Sequence, residues 1–201
     1  MNPPTAEADD GNTPLDDDEI EGLIPTHVRS RSELNQWEGL NIAKAYQWIS
    51  RRRPADVMNV DFLRTLHRQM FDETWSWAGQ FRRTNKNLSP HPPYALPALM
   101  HDLLENTRAR HTGCDKSGNA LEDVAVRFHH ELVRIHPWSN GNGRHGRLAT
   151  DLLLAQFGRP LFSWGAGADL DALGSARERY IRALRAADAG DIASLLVFCR
   201  S

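Results

Sequence analysis

Two stretches of helical apolar spacing, joined by a short glycine-rich segment, constrain the fold of this chain more than any other feature. Residues 121–135 place apolar side chains three and four positions apart, which predicts an amphipathic helix. That helix should deliver His136 to its C-terminal end, because Pro137 cannot continue it. Residues 148–157 are apolar on most faces and predict a helix buried in the middle of a bundle. The chain must therefore hold the segment 136–147 between two packed helices.

The same spacing predicts an all-α fold for the rest of the chain. We expect helices after N-terminal caps at Ser32, Asn59 and Asp191. Further helices are predicted to begin near Leu96 and near Leu173. Helices of this number and length indicate a helical bundle.

Residues 80–94 depart from this pattern. Prolines at positions 90, 92 and 93 exclude a helix there and allow at most a short β-hairpin. We expect an exposed loop that presents Arg82, Arg83 and Lys86 to solvent.

Length and charge limit the number of domains and the kind of partner. With 201 residues, of which 40% are hydrophobic, the chain can bury one core. The polar residues 1–19 are predicted to be disordered, which leaves residues 20–201 as the folded domain. A formal net charge of −2 makes nucleic acid an unlikely partner, and the arginine run at residues 51–53 is better interpreted as a solvated helix end.

Cysteine usage and hydropathy favour a cytoplasmic protein. Cys114 and Cys199 lack the spacing of a disulfide framework or a zinc site, so we expect reduced thiols. No apolar run approaches about 18 residues, the length that indicates a membrane span. No signal-peptide pattern opens the sequence.

The central segment contains groups that bind anions. Gly141, Asn142 and Gly143 precede a helix, where backbone N–H groups can form an anion-binding nest. Arg144 and Arg147 stand at i and i+3 and can address one polyphosphate. The alternative is a glycine-rich cap whose arginines pair with surface carboxylates.

The same segment contains a potential base. His136 can act as a general base, because an unperturbed imidazole titrates near physiological pH, or it can simply cap the helix. Asn140 can offer a neutral oxygen to a magnesium ion or serve as a turn residue. His145 should point away from His136, so we expect no zinc cluster. A base beside an anion site indicates phosphate chemistry.

Residues 136–147 resemble the signature of Fic-domain proteins, His-x-Phe-x-Asp/Glu-Gly-Asn-Gly-Arg-x-x-Arg. The similarity extends to the segments 75–79, 128–130 and 180–191, and it covers residues 32–200. Within this family, the chain resembles the subgroup called mobile mystery protein B. The resemblance implies a Fic-type helical bundle with a short β-hairpin flap at residues 80–94.

The resemblance also implies an activity, which is transfer of AMP from ATP to a hydroxyl side chain of a target protein. His136 would be the general base, and the target segment would pair with the flap by its backbone. Mg²⁺ would accompany the nucleotide. The ATP phosphates would be held by Gly141, Asn142, Gly143, Arg144 and Arg147.

Two positions depart from the family pattern. Trp138 replaces Phe in the same anchoring role. Asn140 replaces the acidic residue that binds magnesium, so the metal should bind weakly or be held largely by the nucleotide phosphates. AMP transfer stays the expected reaction, while transfer of another phosphate-containing group stays open.

Glu38 and Gly39 match the end of an inhibitory helix motif found in this family, Ser/Thr-x-x-x-Glu-Gly/Asn. Leu34 stands where the motif has Ser or Thr. We predict that Glu38 reaches Arg147 and blocks the γ-phosphate site, and the alternative is a solvated helix residue. Inhibition by a separate partner protein stays open. A catalytically silent module that binds nucleotide or a partner is the second functional interpretation.

Overall fold

The computed structural model describes residues 16–51, 56–165, 170 and 174–201, and within these ranges the fold is helical. A short 3-10 helix, Pro93–Ala95, leads into the fourth α-helix. The α-helices are α1 (Asp17–Ile20), α2 (Arg31–Ser50), α3 (Val60–Phe71), α4 (Leu96–Gly113), α5 (Gly118–Ile135), α6 (Asn142–Gln156), α7 (Ser175–Asp188) and α8 (Ile192–Arg200). The predicted all-α class is confirmed. Among the described residues, no helix combines the length and apolar character needed to cross a membrane.

Helices α5 and α6 form the centre of the bundle. The apolar face of α5 is buried as its spacing predicts, with Phe128 and Leu132 each 1% exposed. Two neighbouring leucines of α6 belong to different clusters of buried residues: Leu153 packs with residues of α2, α3 and α4, whereas Leu154 packs with residues of α7 and α8. Helix α6 is therefore covered on two sides, which explains its apolar sequence.

The helix starts follow local capping. Asn59 begins α3 as predicted, because its Oδ1 accepts hydrogen bonds from two backbone N–H groups at 2.8 and 3.1 Å. The cap of α2 is Ser30 rather than the predicted Ser32. Ser30 Oγ accepts from the N–H of Glu33 at 3.2 Å, and the Glu33 carboxylate accepts from the N–H of Ser30 at 3.0 Å. This reciprocal capping box starts the helix earlier than the apolar spacing alone indicates.

Some predictions fall on positions outside the described residues. These positions are residues 1–15 of the predicted disordered segment, Arg52 and Arg53 of the arginine run, and Leu173.

Residues 16–19, which were predicted to be disordered, are folded against the protein. The N–H of Asp16 donates to the Glu19 carboxylate at 2.9 Å and helps to start α1. Glu19 is 7% exposed and forms an ion pair with Lys86. Its carbonyl accepts a hydrogen bond from Trp77 Nε1 at 2.9 Å. Contacts far along the chain hold this polar segment, and its composition alone cannot reveal them.

The prediction of a β-hairpin at residues 80–94, here called the flap loop, is wrong. The described backbone of this loop contains turns and bends before the 3-10 helix, and no strand. Arg82 and Lys86 were predicted to be exposed but are 2% and 5% exposed, whereas Arg83 is exposed. Nη1 of Arg82 donates to Thr84 O at 2.7 Å. The loop therefore folds around a buried side chain instead of pairing with a second strand.

Candidate active site

A cavity of about 650 Å³ opens where the flap loop, the end of α5, the start of α6 and the face of α7 meet. Its volume lies within the range of small-molecule pockets. Residues 87–90 of the flap loop and Tyr180, Leu184 and Asp188 of α7 form part of its wall. Most of the predicted site residues also line it: His136, Asn140, Gly141, Asn142, Gly143, Arg144 and Arg147. The sequence-predicted base and anion-binding groups thus share one space.

His136 lies at the C-terminal end of α5 in a left-handed conformation, with φ 55° and ψ 59°. This conformation costs a non-glycine residue about 1–2 kcal/mol. Its Nδ1 lies 3.3 Å from Val133 O, so we assign the ring proton to Nδ1, which leaves Nε2 as the nitrogen that accepts.

The surroundings of His136 keep its ring neutral. Burial lowers the pKa of His136 to about 4, and the positive charges of Arg82 and Lys86 act in the same direction, while the bond to Val133 opposes them. At neutral pH the imidazole is uncharged and can accept a proton.

The segment after His136 makes a closed turn before α6. Trp138 N–H donates to Asn142 Oδ1 at 3.0 Å, and Asn142 Nδ2 donates to Trp138 O at 2.8 Å. Gly141 at the start of α6 has φ 77°, which only glycine adopts readily. A Cβ at this position would lie 2.5 Å from the Phe71 ring. The side chain of Asn142 therefore shapes the turn, and the first N–H groups of α6 are left without acceptors inside the helix.

Glu38 of α2 is 1% exposed and accepts hydrogen bonds from the edge of this turn. Its Oε1 accepts from Trp75 Nε1 at 2.7 Å and from Asn140 Nδ2 at 3.0 Å. Its Oε2 lies 2.8 Å from Arg144 Nη1. The prediction that Glu38 is paired with Arg147 is wrong in its partner, since the ion pair joins Glu38 to the first arginine of the motif.

The position of the two arginines explains this pairing. Arg144 stands on the first turn of α6, with its guanidinium 5.1 Å from the centre of the Phe71 ring. Arg147 lies nearly one turn later and contacts α7, with its guanidinium 5.8 Å from the centre of the Tyr180 ring. The side chain of Arg144 therefore lies beside α3 and Glu38, whereas that of Arg147 lies beside α7.

Asn140 was the predicted metal ligand. Its backbone carbonyl oxygen lies 3.1 Å from His67 Nε2, and its side-chain Nδ2 donates to Glu38 Oε1. Only Oδ1 is then left as a neutral oxygen from this side chain. Over the described ranges, no group of three or more His, Cys, Asp or Glu residues could hold a metal ion. Mg²⁺ prefers carboxylates together with substrate phosphates, so these residues do not fit a magnesium site formed by the protein alone.

The turn rests on a buried layer of rings. Trp138 is fully buried, as predicted, and stacks on His67 with ring centres 4.5 Å apart. Its Nε1 donates to His145 Nδ1 at 3.2 Å, and His145 Nε2 in turn lies 3.0 Å from Leu63 O on α3. His145 therefore points away from His136 and fixes α6 to α3.

Arg82 is the residue of this region that sequence reasoning missed. Its Nε donates to His136 O at 2.7 Å. The sequence offered only an arginine among turn-forming residues, which does not distinguish a buried guanidinium from a solvated one.

The fold and the cavity define a class of protein: it is helical, and a neutral histidine and a helix N-terminus face the same pocket. The sequence profile of the Fic/DOC family matches residues 57–154, which include α3 and the segment 136–147. The chain belongs to the Fic/DOC family.

Curated relatives agree with this assignment. Protein adenylyltransferase Fic of Drosophila grimshawi is 31% identical over 144 residues, which cover 70% of this chain and 29% of that protein. Probable protein adenylyltransferase y4lH of Sinorhizobium fredii is 29% identical over 178 residues, which cover 85% of this chain and 88% of that protein. The chain thus spans less than a third of the fly protein and most of the bacterial one.

A solved structure shows the same fold. The crystal structure of BepC protein from Bartonella tribocorum with bound AMPPNP has a TM-score of 0.67 and 16% identity to this chain. The match covers 86% of this chain and 87% of that one. The predicted Fic-type bundle is confirmed, while the resemblance to one subgroup stays a prediction.

Proposed function

We propose that the protein is a nucleotidyltransferase that moves AMP from ATP to a hydroxyl side chain of a target protein. The observation that carries this proposal is that a neutral His136 and the N-terminus of α6 face one cavity. The names of the curated relatives, which describe adenylyltransferases, support it. The AMPPNP bound to the Bartonella tribocorum neighbour supports a nucleotide as the ligand.

His136 acts as the general base in this proposal. Nε2 accepts the proton of the target hydroxyl while the hydroxyl oxygen attacks the α-phosphorus of ATP. The new bond joins that oxygen to the α-phosphorus. The bond from the α-phosphorus to the oxygen that bridges to the β-phosphate breaks, and pyrophosphate leaves with the electron pair.

The phosphates of ATP bind at the start of α6. The first N–H groups of a helix have no acceptor in the preceding turn, and both these groups and the helix dipole favour negative charge there. Arg144 and Arg147 line the same cavity and bring two positive charges to this end of the helix. Their charges offset the negative charge that develops on the leaving pyrophosphate.

The flap loop receives the target protein. Its residues 87–90 line the cavity, and it carries Tyr94, which is 87% exposed, and Leu88, which is 38% exposed. An extended target segment would bind along this loop through backbone hydrogen bonds and contacts to these two side chains.

Mg²⁺ enters with the nucleotide in this proposal, because Asn140 offers at most one neutral oxygen. When bound, the ion supplies positive charge to the phosphates, and no protein residue replaces that charge at position 140. Transfer in the presence of a chelator measures how far the reaction depends on the metal.

Glu38 regulates the same site. Its carboxylate forms an ion pair with the guanidinium of Arg144. Without this ion pair, the nucleotide phosphates would bind the same guanidinium. ATP must therefore displace Glu38 or bind without this arginine. The contact supports internal inhibition through Arg144 in place of the Arg147 contact predicted from sequence.

The test of the function is incubation of the purified protein with ATP labelled at the α-phosphate and, in parallel, at the γ-phosphate. We expect covalent label from the α-phosphate alone, with the added mass of AMP on a hydroxyl side chain. His136→Ala should lose the label, and His101→Ala, which changes an exposed histidine on α4, should keep it. Equal labelling by His136→Ala would contradict the role of the base.

A catalytically silent binding module is the second candidate. The observation that favours it is the bond from Asn140 to Glu38, because one neutral side chain both replaces an acid and holds the inhibitory carboxylate. This candidate predicts that ATP binds but leaves no label, even in Glu38→Gly.

A further inference from the structure

The guanidinium of Arg82 is buried at the C-terminal end of α5. Its Nε donates to His136 O at 2.7 Å, and its Nη2 lies 3.5 Å from Ile135 O. The backbone N–H of Arg82 donates to Pro137 O at 2.9 Å. A single residue thus contacts the carbonyl groups of three consecutive residues centred on the base.

The same guanidinium holds the flap loop. Nη1 donates to Thr84 O at 2.7 Å, and Nη2 donates to His91 O at 2.7 Å and to Ser89 Oγ at 3.2 Å. The hydroxyl of Ser89 continues the link, because it donates to Ile135 O at 3.0 Å. The flap loop and the end of α5 are therefore joined through one side chain.

This joint depends on the shape of a guanidinium. Arginine presents five N–H donors in a planar fork, so it can donate hydrogen bonds to carbonyls of the flap loop and of the end of α5 at the same time. Lysine presents a compact ammonium on a flexible stem and cannot span the same acceptors. His136 has φ 55°, and a non-glycine residue keeps such a conformation only when its surroundings hold it. Arg82 supplies part of that support.

We propose that Arg82 is a positioning residue that fixes the flap loop and His136 as one unit. A hydroxyl of the target protein that binds along the flap loop is thereby placed next to His136 Nε2. The inference rests on the proposed AMP transfer, in which the flap holds the target. A misplacement of about 1 Å between reacting groups can lower a rate by about a hundredfold. Arg82 therefore acts on transfer, whereas nucleotide binding depends on α6.

Charge adds a second effect that can be measured. The cations Arg82 and Lys86 both lower the pKa of the His136 imidazole. Loss of the Arg82 charge raises the pKa of His136, and the acid limb of the transfer rate then moves to higher pH. Replacement by lysine keeps a charge and moves that limb less.

The experiment compares Arg82→Lys and Arg82→Met with Arg83→Met, which removes the same charge from the neighbouring exposed position. Hydrogen exchange at residues 83–91 and 136–139 measures how firmly Arg82 holds the flap loop to the end of α5, and this measurement does not require the protein to be active. We expect exchange there to rise by about tenfold or more in both Arg82 variants and to stay near that of the wild type in Arg83→Met. Exchange in α3 should be unchanged in all three variants.

Activity measurements separate positioning from folding. The transfer rate of Arg82→Lys should fall by about tenfold or more, while its dissociation constant for ATP stays within about twofold. A purely structural role would lower ATP affinity, α3 protection and transfer together, and that result would overturn the proposal. Unchanged exchange in the flap loop of Arg82→Lys would overturn it as well.

The two proposals fail in different ways. If the wild-type protein transfers no AMP, the proposed function is wrong, and hydrogen exchange still decides whether Arg82 joins the flap to α5. If the wild type transfers AMP and Arg82→Lys transfers it equally fast, only the role of Arg82 is wrong.

Discussion

At the scale of single residues, Glu38 is a buried carboxylate that forms an ion pair with an arginine of the candidate site. Its partners are Trp75, Asn140 and Arg144, each within 3.0 Å. A buried charge is unfavourable unless such partners remain, so Glu38 and Arg144 stabilise each other in the absence of nucleotide. In the proposed function, the phosphates of ATP compete with Glu38 for the same guanidinium.

We predict that Glu38→Gly binds ATP about tenfold more tightly than the wild type, which corresponds to about 1.4 kcal/mol. The change removes the competitor of the phosphates from Arg144. Isothermal titration calorimetry measures the affinity, and Glu38→Gln is the matched variant that removes charge but keeps the size of the side chain. Equal ATP affinities of all three proteins would contradict internal inhibition.

At the scale of elements, the junction between α5 and α6 depends on Gly141. Its φ of 77° and the nearby Phe71 ring leave no room for a side chain. Gly143 is the natural control, because a Cβ there would meet only Arg147 Nη1 at 3.6 Å, an ordinary contact distance.

We predict that Gly141→Ala lowers the free energy of unfolding by about 1–3 kcal/mol, since alanine adopts a left-handed conformation only under strain. Gly143→Ala lies inside α6 and should match or slightly exceed the wild type, because alanine favours a helix. Urea unfolding at pH 7.5 measures both variants. A stable Gly141→Ala protein would show that the turn can rearrange.

Elements also show what the sequence could and could not predict. Apolar spacing identified α5 and α6, and the motif identified the turn between them, because both signals are local. The prediction of a hairpin in the flap loop was wrong, because the shape of the loop depends on contacts of Arg82 and Ser89 with the end of α5. The predicted partner of Glu38 was wrong for a similar reason. Which arginine a carboxylate meets depends on the placement of two helices, and sequence spacing does not contain that placement.

At the scale of the whole molecule, several buried histidines make the fold sensitive to acid. Burial lowers the pKa of His129 to about 3 and that of His145 to about 4, and it holds the pKa of His67 well below 6.5. Below about pH 6.5 the unfolded chain binds protons at these sites while the folded protein does not, so stability falls with pH. Asp151 acts in the opposite direction, because burial raises its pKa to about 6.

We predict that the free energy of unfolding falls by on the order of 3 kcal/mol between pH 7.5 and pH 5. Urea unfolding at both pH values measures this difference. His101→Gln, which changes an exposed histidine, should keep the difference, and His145→Gln should reduce it. Equal stability of the wild type at the two pH values would show that these histidines titrate normally.

The ion pair between Glu19 and Lys86 has a consequence for how this domain can be joined to other sequences. Glu19 lies before the domain boundary that the sequence predicts at residue 20, yet its partner belongs to the flap loop. A cleavage between residues 19 and 20, or a rigid fusion placed there, would detach or reposition a support of the flap loop. The segment around Glu19 is thus tied to the loop that we propose holds the target protein.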